Sequence, residues 1–505
     1  MAEKSAYKSL QNGSDIRGIA VDGVVGEKVN LTPERVAQIG GAFAAFLQER
    51  TKKSPRDLRV TVGTDSRISA QDVKTAFCRG LSGAGIEALD CGLASTPAMF
   101  MSTVFEDIKA DGAVMVTASH LPYNRNGLKF FTPDGGLEKA DIARILEIAE
   151  KEKTEPAEWK GESCPVMQLY TAHLRRLICD GLSTKESEKP LKGMHIVVDA
   201  GNGAGGFFAH KVLTPLGADI KGSRYLTPDG MFPNHVPNPE NKEAMASIRE
   251  AVLESHADLG LIFDTDVDRM SAVFASGKEV NRNSLIALMA AILAPDYAGG
   301  TIVTDSVTSD ELTAFLEEEL HLVHLRYMRG YKNVINECIR LNESGVVSPL
   351  AIETSGHGAL SENYYLDDGA YLAVKLIIAA ARARVRGRTV ESLIDKLNEP
   401  AEAVEYRLAV KNTDNANAYG ESVLDSLEER ALEARIQVAS PSYEGVRLMF
   451  PEGWALLRMS LHDPNMPLNI ESKELGGCEK IKCRMYDLLK GYDHLDLSLI
   501  HISEP

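Results

Sequence analysis

Three short segments of the chain combine side chains that could bind or move a phosphate group, and each follows a run of apolar residues. The first, GAVMVTASHLPYNRNGLK at 112–129, brings Ser119, His120 and Lys129 into a loop rich in Gly, Pro and Asn. Ligands of open α/β sheets bind in loops of this kind, beyond the carboxyl ends of the strands. A polar turn without function would look the same, so this segment alone leaves both interpretations open.

The second segment, DTDVDR at 264–269, has a carboxylate at every other position. Asp264, Asp266 and Asp268 would repel one another in so short a loop unless a cation neutralised them, and hard cations such as Mg²⁺ prefer oxygen ligands. We therefore predict a magnesium site here rather than a solvated acidic turn. Arg269 follows directly and can hold a phosphate through two parallel hydrogen bonds.

The third segment, ETSGH at 353–357, offers a carboxylate, a hydroxyl and an imidazole close together. Glu353 and Ser355 are of the residue types that recognise sugar hydroxyls, and His357 can move a proton near neutral pH. A structural histidine would suit the segment equally well.

Two arginines near the N-terminus each lie close to a glycine in a predicted turn. They are Arg17 in DIRG and Arg67 in VGTDSR. Surface arginines are common, so ordinary surface positions are an equal alternative for both.

The elements that must position these segments alternate between helix and strand, which is typical of the α/β class. Strands are predicted at 59–62, 113–117, 195–198, 259–263, 301–304 and 406–410. Helices are predicted at 36–47, 71–81, 139–152, 371–385 and 478–489. We predict three similar α/β domains with mixed sheets and a smaller C-terminal α+β domain.

The predicted domain boundaries follow changes in composition along the chain. The domains are 1–160 with the Ser119 loop, 161–279 with the aspartate loop, 280–400 with the ETSGH loop and 401–492. The charged stretch 154–162, which contains Pro156, is predicted to be a linker. Residues 493–505 are predicted to be a disordered tail.

Composition limits the classes of partner. The 505 residues carry 72 acidic and 55 basic side chains, a formal charge of −17 that argues against nucleic acid or an anionic membrane as partner. A few local arginines and lysines can still bind an anionic small molecule. The seven cysteines form no CxxC pair, which indicates reduced thiols and no zinc site. No signal-peptide pattern or long apolar run is present, so we expect a cytoplasmic protein, or a stromal one whose targeting peptide was removed.

In their order along the chain, these segments resemble the α-D-phosphohexomutase superfamily, which includes phosphoglucomutases, phosphomannomutases and phosphoglucosamine mutases. TASHLPYNRNGLK, DTDVDR and ETSGH carry the resemblance, and VGTDSR, DAGNGAG and DGMFPNHVPNPEN support it. It extends from about Asp15 to about Leu489. The resemblance implies a heart-shaped protein of four domains around a central cleft. It also implies an isomerase that moves a phosphoryl group between C1 and C6 of a hexose through a phosphoserine and a hexose bisphosphate.

The resemblance also implies roles for individual residues. The implied catalytic residues are Ser119, which is phosphorylated, Lys129 as general acid or base, Arg17, His120 and His357. The implied ligands of one Mg²⁺ are Ser119, Asp264, Asp266 and Asp268. The implied substrate-binding residues are Arg269, Glu353, Ser355, Arg458, Ser460 and His462. A hexose bisphosphate is the implied activator, a small phosphosugar is the expected partner, and the protein is expected to be a monomer or a dimer.

The fourth loop of the superfamily is altered here. Its pattern is approximately Arg-x-Ser-Gly-Thr-Glu-Pro followed by a second Arg, and the corresponding segment is RMSLHDPNMP at 458–467. Leu461 replaces the glycine, His462 the threonine and Pro467 the second arginine. Because the glycine and the guanidinium both serve phosphate binding, we expect weaker binding of ordinary hexose phosphates or a shifted substrate. His462 could replace part of the lost donor set when it is protonated.

Two alternatives differ in class. A haloacid-dehalogenase-like phosphatase would use Asp264 as nucleophile and Asp367-Asp368 as a metal motif, but it leaves the Ser119 loop unexplained. A regulatory homologue would keep the mutase scaffold while its altered fourth loop no longer supports turnover. Between glucose and mannose phosphates the sequence does not decide.

Overall fold

The structure is a computed structural model that describes residues 6–501 apart from 414, 461 and 462. Its contacts divide the chain into two compact units. Unit 1 comprises Met1–Leu285 and Ser355–Ser392, and unit 2 comprises Ile286–Thr354 and Leu393–Pro505.

Strands and short helices alternate along most of the chain. The strands are β1 (Gln11–Asn12), β2 (Asp15–Ile19), β3 (Val60–Thr64), β4 (Ala88–Leu93), β5 (Gly112–Val116), β6 (Arg125–Thr132), β7 (Gly135–Gly136), β8 (Ile196–Asp199), β9 (Leu259–Phe263), β10 (Met270–Phe274), β11 (Glu279–Val280), β12 (Thr301–Thr304), β13 (Val323–Arg326), β14 (Leu350–Ile352), β15 (Gly358–Leu360), β16 (Leu366–Asp367), β17 (Glu402–Ala409), β18 (Gln437–Val438), β19 (Val446–Phe450), β20 (Gly453–Leu457) and β21 (Asn465–Ser472). The helices are α1 (Pro33–Thr51), α2 (Ala70–Gly83), α3 (Thr96–Val104), α4 (Lys139–Lys151), α5 (Val166–Gly181), α6 (Lys242–Ser255), α7 (Arg282–Leu293), α8 (Asp310–Ala314), α9 (Tyr331–Glu343), α10 (Gly369–Val385), α11 (Ala416–Glu433) and α12 (Gly477–Leu489).

The first sheet of unit 1 is mixed, with the order β1-β2-β6-β5-β3-β4 and with β7 on β6. Strands β5, β3 and β4 run parallel, whereas β6 is antiparallel to β5 and to β2. Helix α1 begins at Pro33, because Thr32 Oγ1 accepts a hydrogen bond from Arg35 N (3.4 Å) and proline suits the first helical turn. Its apolar residues share a core with β3 and β5. The Ser119 loop begins where β5 ends.

The second sheet of unit 1 has the order β11-β10-β9-β8. Strands β8 and β9 are parallel, and β9 and β10 form an antiparallel hairpin. Because every residue of β9 and β10 is buried, the polar turn 264–269 between them is held on two rigid strands. A further hairpin, β15–β16, follows His357 and ends at Asp367.

Unit 2 contains a parallel group of strands and an antiparallel sheet. The parallel group has the order β13-β12-β14, with α9 beside β12 and β14. The antiparallel sheet has the order β17-β21-β20-β19-β18 and shares an apolar core with α11 and α12. The altered fourth loop connects β20 to β21.

The predicted fold class is confirmed, with three α/β parts that are followed by an α+β part, while the domain boundaries stay a prediction. The prediction of a disordered tail is wrong for residues 493–501. Asp496 N donates to Ala409 O (2.9 Å), Leu495 and Ile500 are buried in the core of the last sheet, and residues 502–505 lie outside the described part of the chain. The C-terminal segment packs because its leucine and isoleucine side chains have an apolar surface to cover.

The predicted linker at 154–162 forms neither a helix nor a strand, but it is bonded to unit 1 along its length. Gln38 exchanges hydrogen bonds with the backbone of Thr154 at 2.8 and 2.9 Å, and Trp159 Nε1 donates to Ala88 O at 2.8 Å. The segment is therefore a fixed part of unit 1. Within the described residues, no helix combines the length and the apolar character that a membrane span requires.

Candidate active site

Ser119 lies in a buried turn just beyond β5. Its backbone has φ +50°, a left-handed conformation that non-glycine residues adopt rarely and mostly where the surroundings impose it. Ser119 N donates to Thr117 Oγ1 (2.9 Å), which in turn donates to Asp65 Oδ2 (2.7 Å). Only 3% of Ser119 is exposed. The turn is thus fixed before any ligand binds.

Arg67 holds the same turn from the other side. The side chain is fully buried, and Arg67 Nε lies 3.2 Å from Asp65 Oδ2. Its guanidinium donates to the backbone carbonyls of Ser119, Leu121, Pro122 and Arg125. Four carbonyls on one guanidinium use its fixed fork of donors, which a lysine could not reproduce. From the sequence, an ordinary surface position was an equal alternative for Arg67, whereas in the structure the residue is buried and positions the Ser119 loop.

The three aspartates of the β9–β10 turn form a compact buried cluster. Carboxylate oxygens of Asp264, Asp266 and Asp268 lie within 4.8 Å of one another, and each residue is at most 1% exposed. Ser119 Oγ donates to Asp264 Oδ2 at 3.0 Å. Burial and the charges of the other two aspartates raise the pKa of Asp264 well above its ordinary value. The structure therefore brings the predicted phosphoserine and the predicted metal ligands together.

Two oxygens of this cluster have no hydrogen-bond partner. They are Asp266 Oδ1 and Asp268 Oδ1, both buried. A buried carboxylate oxygen without a donor is costly, and a cation with oxygen ligands would satisfy both. The donor set thus fits a divalent cation.

Lys129 points from β6 at the same carboxylates. Its Nζ donates to Asp266 Oδ2 at 3.2 Å and makes a shorter bond to Asp268 Oδ2. Although burial alone would raise it, Lys129, His357 and Arg269 hold the pKa of Asp268 below its ordinary value. Thr96, at the start of α3, adds a backbone bond to Asp266 O (2.8 Å) and a short side-chain bond to Asp266 Oδ2. Position 266 is therefore held by groups from two other chain segments.

Arg269 and His120 complete the surroundings of the Ser119 hydroxyl. Arg269 Nη2 donates to Ser119 Oγ (3.1 Å) and to His120 Nδ1 (2.6 Å). Burial, together with the positive charges of Arg269 and Arg17, lowers the pKa of His120 to about 2. His120 is therefore neutral and its Nδ1 is an acceptor here.

His357 lies opposite Lys129 on the cluster. Its Nδ1 is 2.5 Å from Asp367 Oδ2 and 3.9 Å from Asp268 Oδ1. Burial opposes protonation, but the carboxylates of Asp367 and Asp268 outweigh it and raise the pKa of His357 to about 9. His357 is thus a cation that can hold a proton beside the cluster.

The neighbouring Asp368 has a different environment from Asp367. It accepts hydrogen bonds from Tyr170 Oη (2.7 Å) and from Tyr371 N (2.9 Å) at the start of α10. Asp368 is therefore a helix cap that supports the fold. Its partners do not fit the metal motif of a dehalogenase-like phosphatase.

Arg17 lies on β2 with its side chain 19% exposed, and its Nη2 bonds Asp15 Oδ2 at 2.9 Å. Its Nε is buried without a hydrogen-bond partner. Ser355 is also part of unit 1 and is 8% exposed. Both predicted residues are thus largely buried.

The predicted binding residues of unit 2 are held separately. Glu353 follows β14, and its Oε1 accepts from Gly330 N at 2.6 Å. Arg458 follows β20, is 5% exposed, and its backbone N donates to Pro467 O at 3.2 Å. Ser460 N donates to Asn465 O at 3.0 Å, which closes the turn into β21. His462 and Leu461 lie outside the described residues.

Glu444 and Arg329 lie beside Arg458, and neither was predicted from the sequence. Glu444 Oε1 is 3.6 Å from Arg458 Nη1, and Glu444 Oε2 accepts from Arg329 N at 3.0 Å. Arg329 Nε is 3.9 Å from Asp305 Oδ2. Burial lowers the pKa of Arg458, Glu444 opposes that shift and Arg329 adds to it. Unit 2 therefore pairs its predicted phosphate-binding arginine with a carboxylate and has a second guanidinium nearby.

Comparison with known proteins decides the family. Residues 8–156, 168–277 and 281–400 match the phosphoglucomutase/phosphomannomutase alpha/beta/alpha domains I, II and III. The chain belongs to the phosphoglucomutase/phosphomannomutase family. It is a phosphohexomutase, an isomerase of carbohydrate metabolism.

Relatives over nearly the whole length agree with this membership. A phosphoglucomutase of Neisseria gonorrhoeae is 26% identical over 97% of this chain and 99% of its own. A phosphomannomutase/phosphoglucomutase of Pseudomonas putida is 28% identical over 93% of this chain and 94% of its own. Among solved structures, a phosphoglucomutase/phosphomannomutase family protein of Burkholderia thailandensis has a TM-score of 0.77 at 24% identity and covers 97% of this chain and 98% of its own. The fold of this phosphohexomutase is that of its family.

Family membership removes the dehalogenase-like alternative, and the geometry agrees. Asp264 Oδ2 accepts a hydrogen bond from Ser119 and also lies 3.3 Å from Arg269 Nη2. In this phosphohexomutase Asp264 is therefore already engaged by a hydroxyl and a guanidinium.

Proposed function

We propose that the protein interconverts the 1-phosphate and the 6-phosphate of a hexose, glucose or mannose, and that Ser119 carries the transferred phosphoryl group. The observation that supports this most strongly is the position of the Ser119 hydroxyl, 3.0 Å from Asp264 Oδ2 and 3.1 Å from Arg269 Nη2. A hydroxyl in this position can accept a phosphoryl group and return it. The guanidinium on one side, and a cation bound by the carboxylates on the other, would offset the negative charge of the transferred group.

The chain's own residues divide the remaining tasks. Arg269 and Arg17 bind oxygens of the phosphoryl group on Ser119. Lys129 gives and takes the proton of the sugar hydroxyl that receives or loses phosphate, as a buried lysine beside carboxylates can do. His357, kept protonated by Asp367 and Asp268, steadies negative charge on the same side, and neutral His120 keeps Arg269 directed at Ser119.

Mg²⁺ is the cation that the donor set suits best. Asp264, Asp266, Asp268 and an oxygen on Ser119 would hold one ion. When bound, the ion supplies positive charge that stabilises the transferred phosphoryl group. A hexose bisphosphate serves as activator, because it can phosphorylate Ser119 directly and is also the intermediate of the reaction.

The distal part of the substrate is proposed to use the residues of the other loops. Glu353 and Ser355 accept hydrogen bonds from sugar hydroxyls, and Arg458 and Ser460 bind the phosphate that is not being transferred. Arg329 supplies a second guanidinium, so that the arginine replaced by Pro467 is compensated from elsewhere in unit 2.

Phosphorylation by a bisphosphate activator tests the proposal directly. The purified enzyme is incubated with Mg²⁺ and glucose 1,6-bisphosphate or mannose 1,6-bisphosphate, and its intact mass is measured together with turnover of the matching 1-phosphate. We expect one acid-stable phosphoryl group on Ser119. The Ser119→Ala variant is expected to lack it and to lose at least about 10⁴-fold in kcat.

The control is Ser82→Ala, because the Ser82 hydroxyl is buried without a hydrogen-bond partner and lies in α2. This variant should keep both the phosphoryl group and the rate. An acid-labile phosphoryl group, or normal turnover by Ser119→Ala, would rule the proposal out.

A further inference from the structure

Cys91 and Cys164 meet at the outer edge of the first sheet. In the parallel pairing of β3 with β4, Val62 lies opposite Asp90 and Gly63 opposite Gly92, so Cys91 is an extra, bulged residue. A bulge redirects the side chain of the extra residue and often lies at a functional position. Here β4 has β3 on one side only, and its other edge is available to another segment.

The segment 162–164 occupies that edge. Asp90 N donates to Glu162 O (2.7 Å), and Cys164 N donates to Asp90 O (2.8 Å), which makes a parallel bridge between Asp90 and Ser163. Residues that follow a parallel bridge stay adjacent, at the spacing of about 5 Å that separates neighbouring strands. This spacing lies within the range that disulfides span.

The two thiols interact in the reduced protein. The neighbouring Cys91 thiol lowers the pKa of Cys164, and the Cys164 thiol together with burial raises the pKa of Cys91. The nearby Arg59 and the backbone N–H of Val166, at the start of α5, add to the lowering at Cys164. Thiolates form where a thiol meets a cation or a helix N-terminus. The two cysteines therefore differ in kind, one as the better thiolate and the other as a protonated thiol beside it.

Cys164 is 6% exposed, and its approach from solvent is through a cleft on one side. A cleft of about 650 Å³ is lined by Arg59, Cys164, Pro165 and neighbouring residues. By contrast, burial raises the pKa of Cys338 to about 11 and that of Cys78 still further. Those two cysteines therefore stay protonated near neutral pH.

We propose that Cys164 is a hydroperoxide-reactive thiolate and that Cys91 resolves it, so that the two form a reversible disulfide which joins β4 to residues 162–164. In the first step the Cys164 sulfur attacks a peroxide oxygen, the O–O bond breaks, and the leaving hydroxide or alkoxide takes up from solvent the proton that the Cys164 thiol released when it ionised. The sulfur becomes a sulfenic acid. In the second step the Cys91 thiol loses its proton and attacks that sulfur, the S–O bond breaks, and water leaves. Two thiols are oxidised and one peroxide is reduced, which suits the transient disulfides of a reducing compartment.

Peptide mapping after oxidation tests this site. The reduced full-length enzyme is treated with limiting hydrogen peroxide, alkylated and digested. We expect one cross-linked peptide pair that contains Cys91 and Cys164, restored to two free thiols by dithiothreitol. In Cys91→Ser the sulfenic acid should persist on Cys164 and be trapped by dimedone, whereas Cys164→Ser should give neither the cross-link nor an adduct at Cys91.

Cys179→Ser serves as the matched control, since Cys179 is a buried thiol of α5 near the other end of that helix, and it should leave the cross-link unchanged. Labelling of Cys164 should be at least about 10-fold faster than labelling of Cys78 or Cys338. Absence of the Cys91–Cys164 peptide from oxidised wild-type protein, or equal labelling of all cysteines, overturns the proposal even if a serine variant fails to fold.

Discussion

The loop after β5 and the loop after β20 each present a serine and cationic neighbours, but their charges are arranged in opposite ways. Around Ser119, the hydroxyl lies between Arg269 and the buried aspartates, two of whose oxygens lack hydrogen-bond donors. That region has an excess of acceptors and suits an added cation and a phosphoryl group. Around Arg458, a carboxylate from within unit 2 already occupies the guanidinium.

The two loops differ in whether the fold alone holds their side chains ready for a ligand. The Ser119 turn is held by Asp65, Thr117 and Arg67 and needs no ligand to form. Arg458 instead has Glu444 Oε1 at 3.6 Å, and a phosphate must compete with this carboxylate. We infer that phosphoryl transfer is preorganised, whereas the affinity for the distal phosphate is reduced by the protein's own charge.

After Ser119 itself, the largest effect is expected at Lys129. Lys129→Met removes the proposed proton donor and the charge that faces Asp266 and Asp268, so kcat should fall by about 10³-fold. Steady-state kinetics with a hexose 1-phosphate measure this. The control is Lys74→Met, which removes another buried lysine, paired with Asp90 at 2.7 Å. It should lower the melting temperature but leave kcat within a few-fold, and equal losses of kcat in both variants would contradict a role in catalysis.

A smaller effect is expected at Arg67, which contacts the loop only through backbone carbonyls. Arg67→Lys keeps the charge but cannot reach four carbonyls, so the Ser119 turn should loosen and kcat should fall by about 10- to 100-fold with little change in KM. The rate at which bisphosphate phosphorylates Ser119 should fall in parallel. A rise in KM with kcat preserved would instead identify Arg67 as a direct phosphate contact. The exposed Arg79→Lys is the control.

The buried strands and the aspartate cluster of the candidate site could be predicted from the sequence. The apolar runs before the Ser119 and aspartate segments predicted buried strands, and β5 and β9 are fully buried. Three carboxylates at alternate positions predicted a cluster, and a single tight turn brings them together. Local pattern sufficed because each feature lies within a few residues of chain.

The groups that the sequence missed act across the sheet. Arg67 reaches carbonyls more than fifty positions away, and Glu444 approaches Arg458 only because β19 and β20 form a hairpin. A lone glutamate or arginine carries no periodic signal, so its partner depends on strand pairing that the sequence pattern did not specify. The C-terminal segment is a similar case. Its few apolar residues do not indicate which surface they cover, because that surface is formed only by the assembled last sheet.

A third, smaller effect is expected at Arg329, near Arg458 in unit 2. If it supplies the second guanidinium for the distal phosphate, Arg329→Gln should raise KM for hexose phosphates by about 10-fold while kcat changes less than about threefold. Arg407→Gln is the control, since Arg407 lies opposite Pro467 but is 65% exposed and paired with Glu405. A fall in kcat without a change in KM would place Arg329 outside phosphate binding.

The smallest effect is expected at Glu444, where the direction of the change in KM distinguishes two roles. Glu444→Gln keeps the shape and an oxygen that can accept from Arg329 N and Ser306, but it removes the negative charge that competes with phosphate for Arg458. KM should therefore fall by about two- to fivefold, a modest change because the two charged groups are 3.6 Å apart and form no direct hydrogen bond. If Glu444 instead orients Arg458 for the substrate, KM should rise. Binding of hexose 6-phosphate by calorimetry separates these outcomes even in a Ser119→Ala background, because that variant cannot turn over and only the affinity of the Arg458 region is then measured.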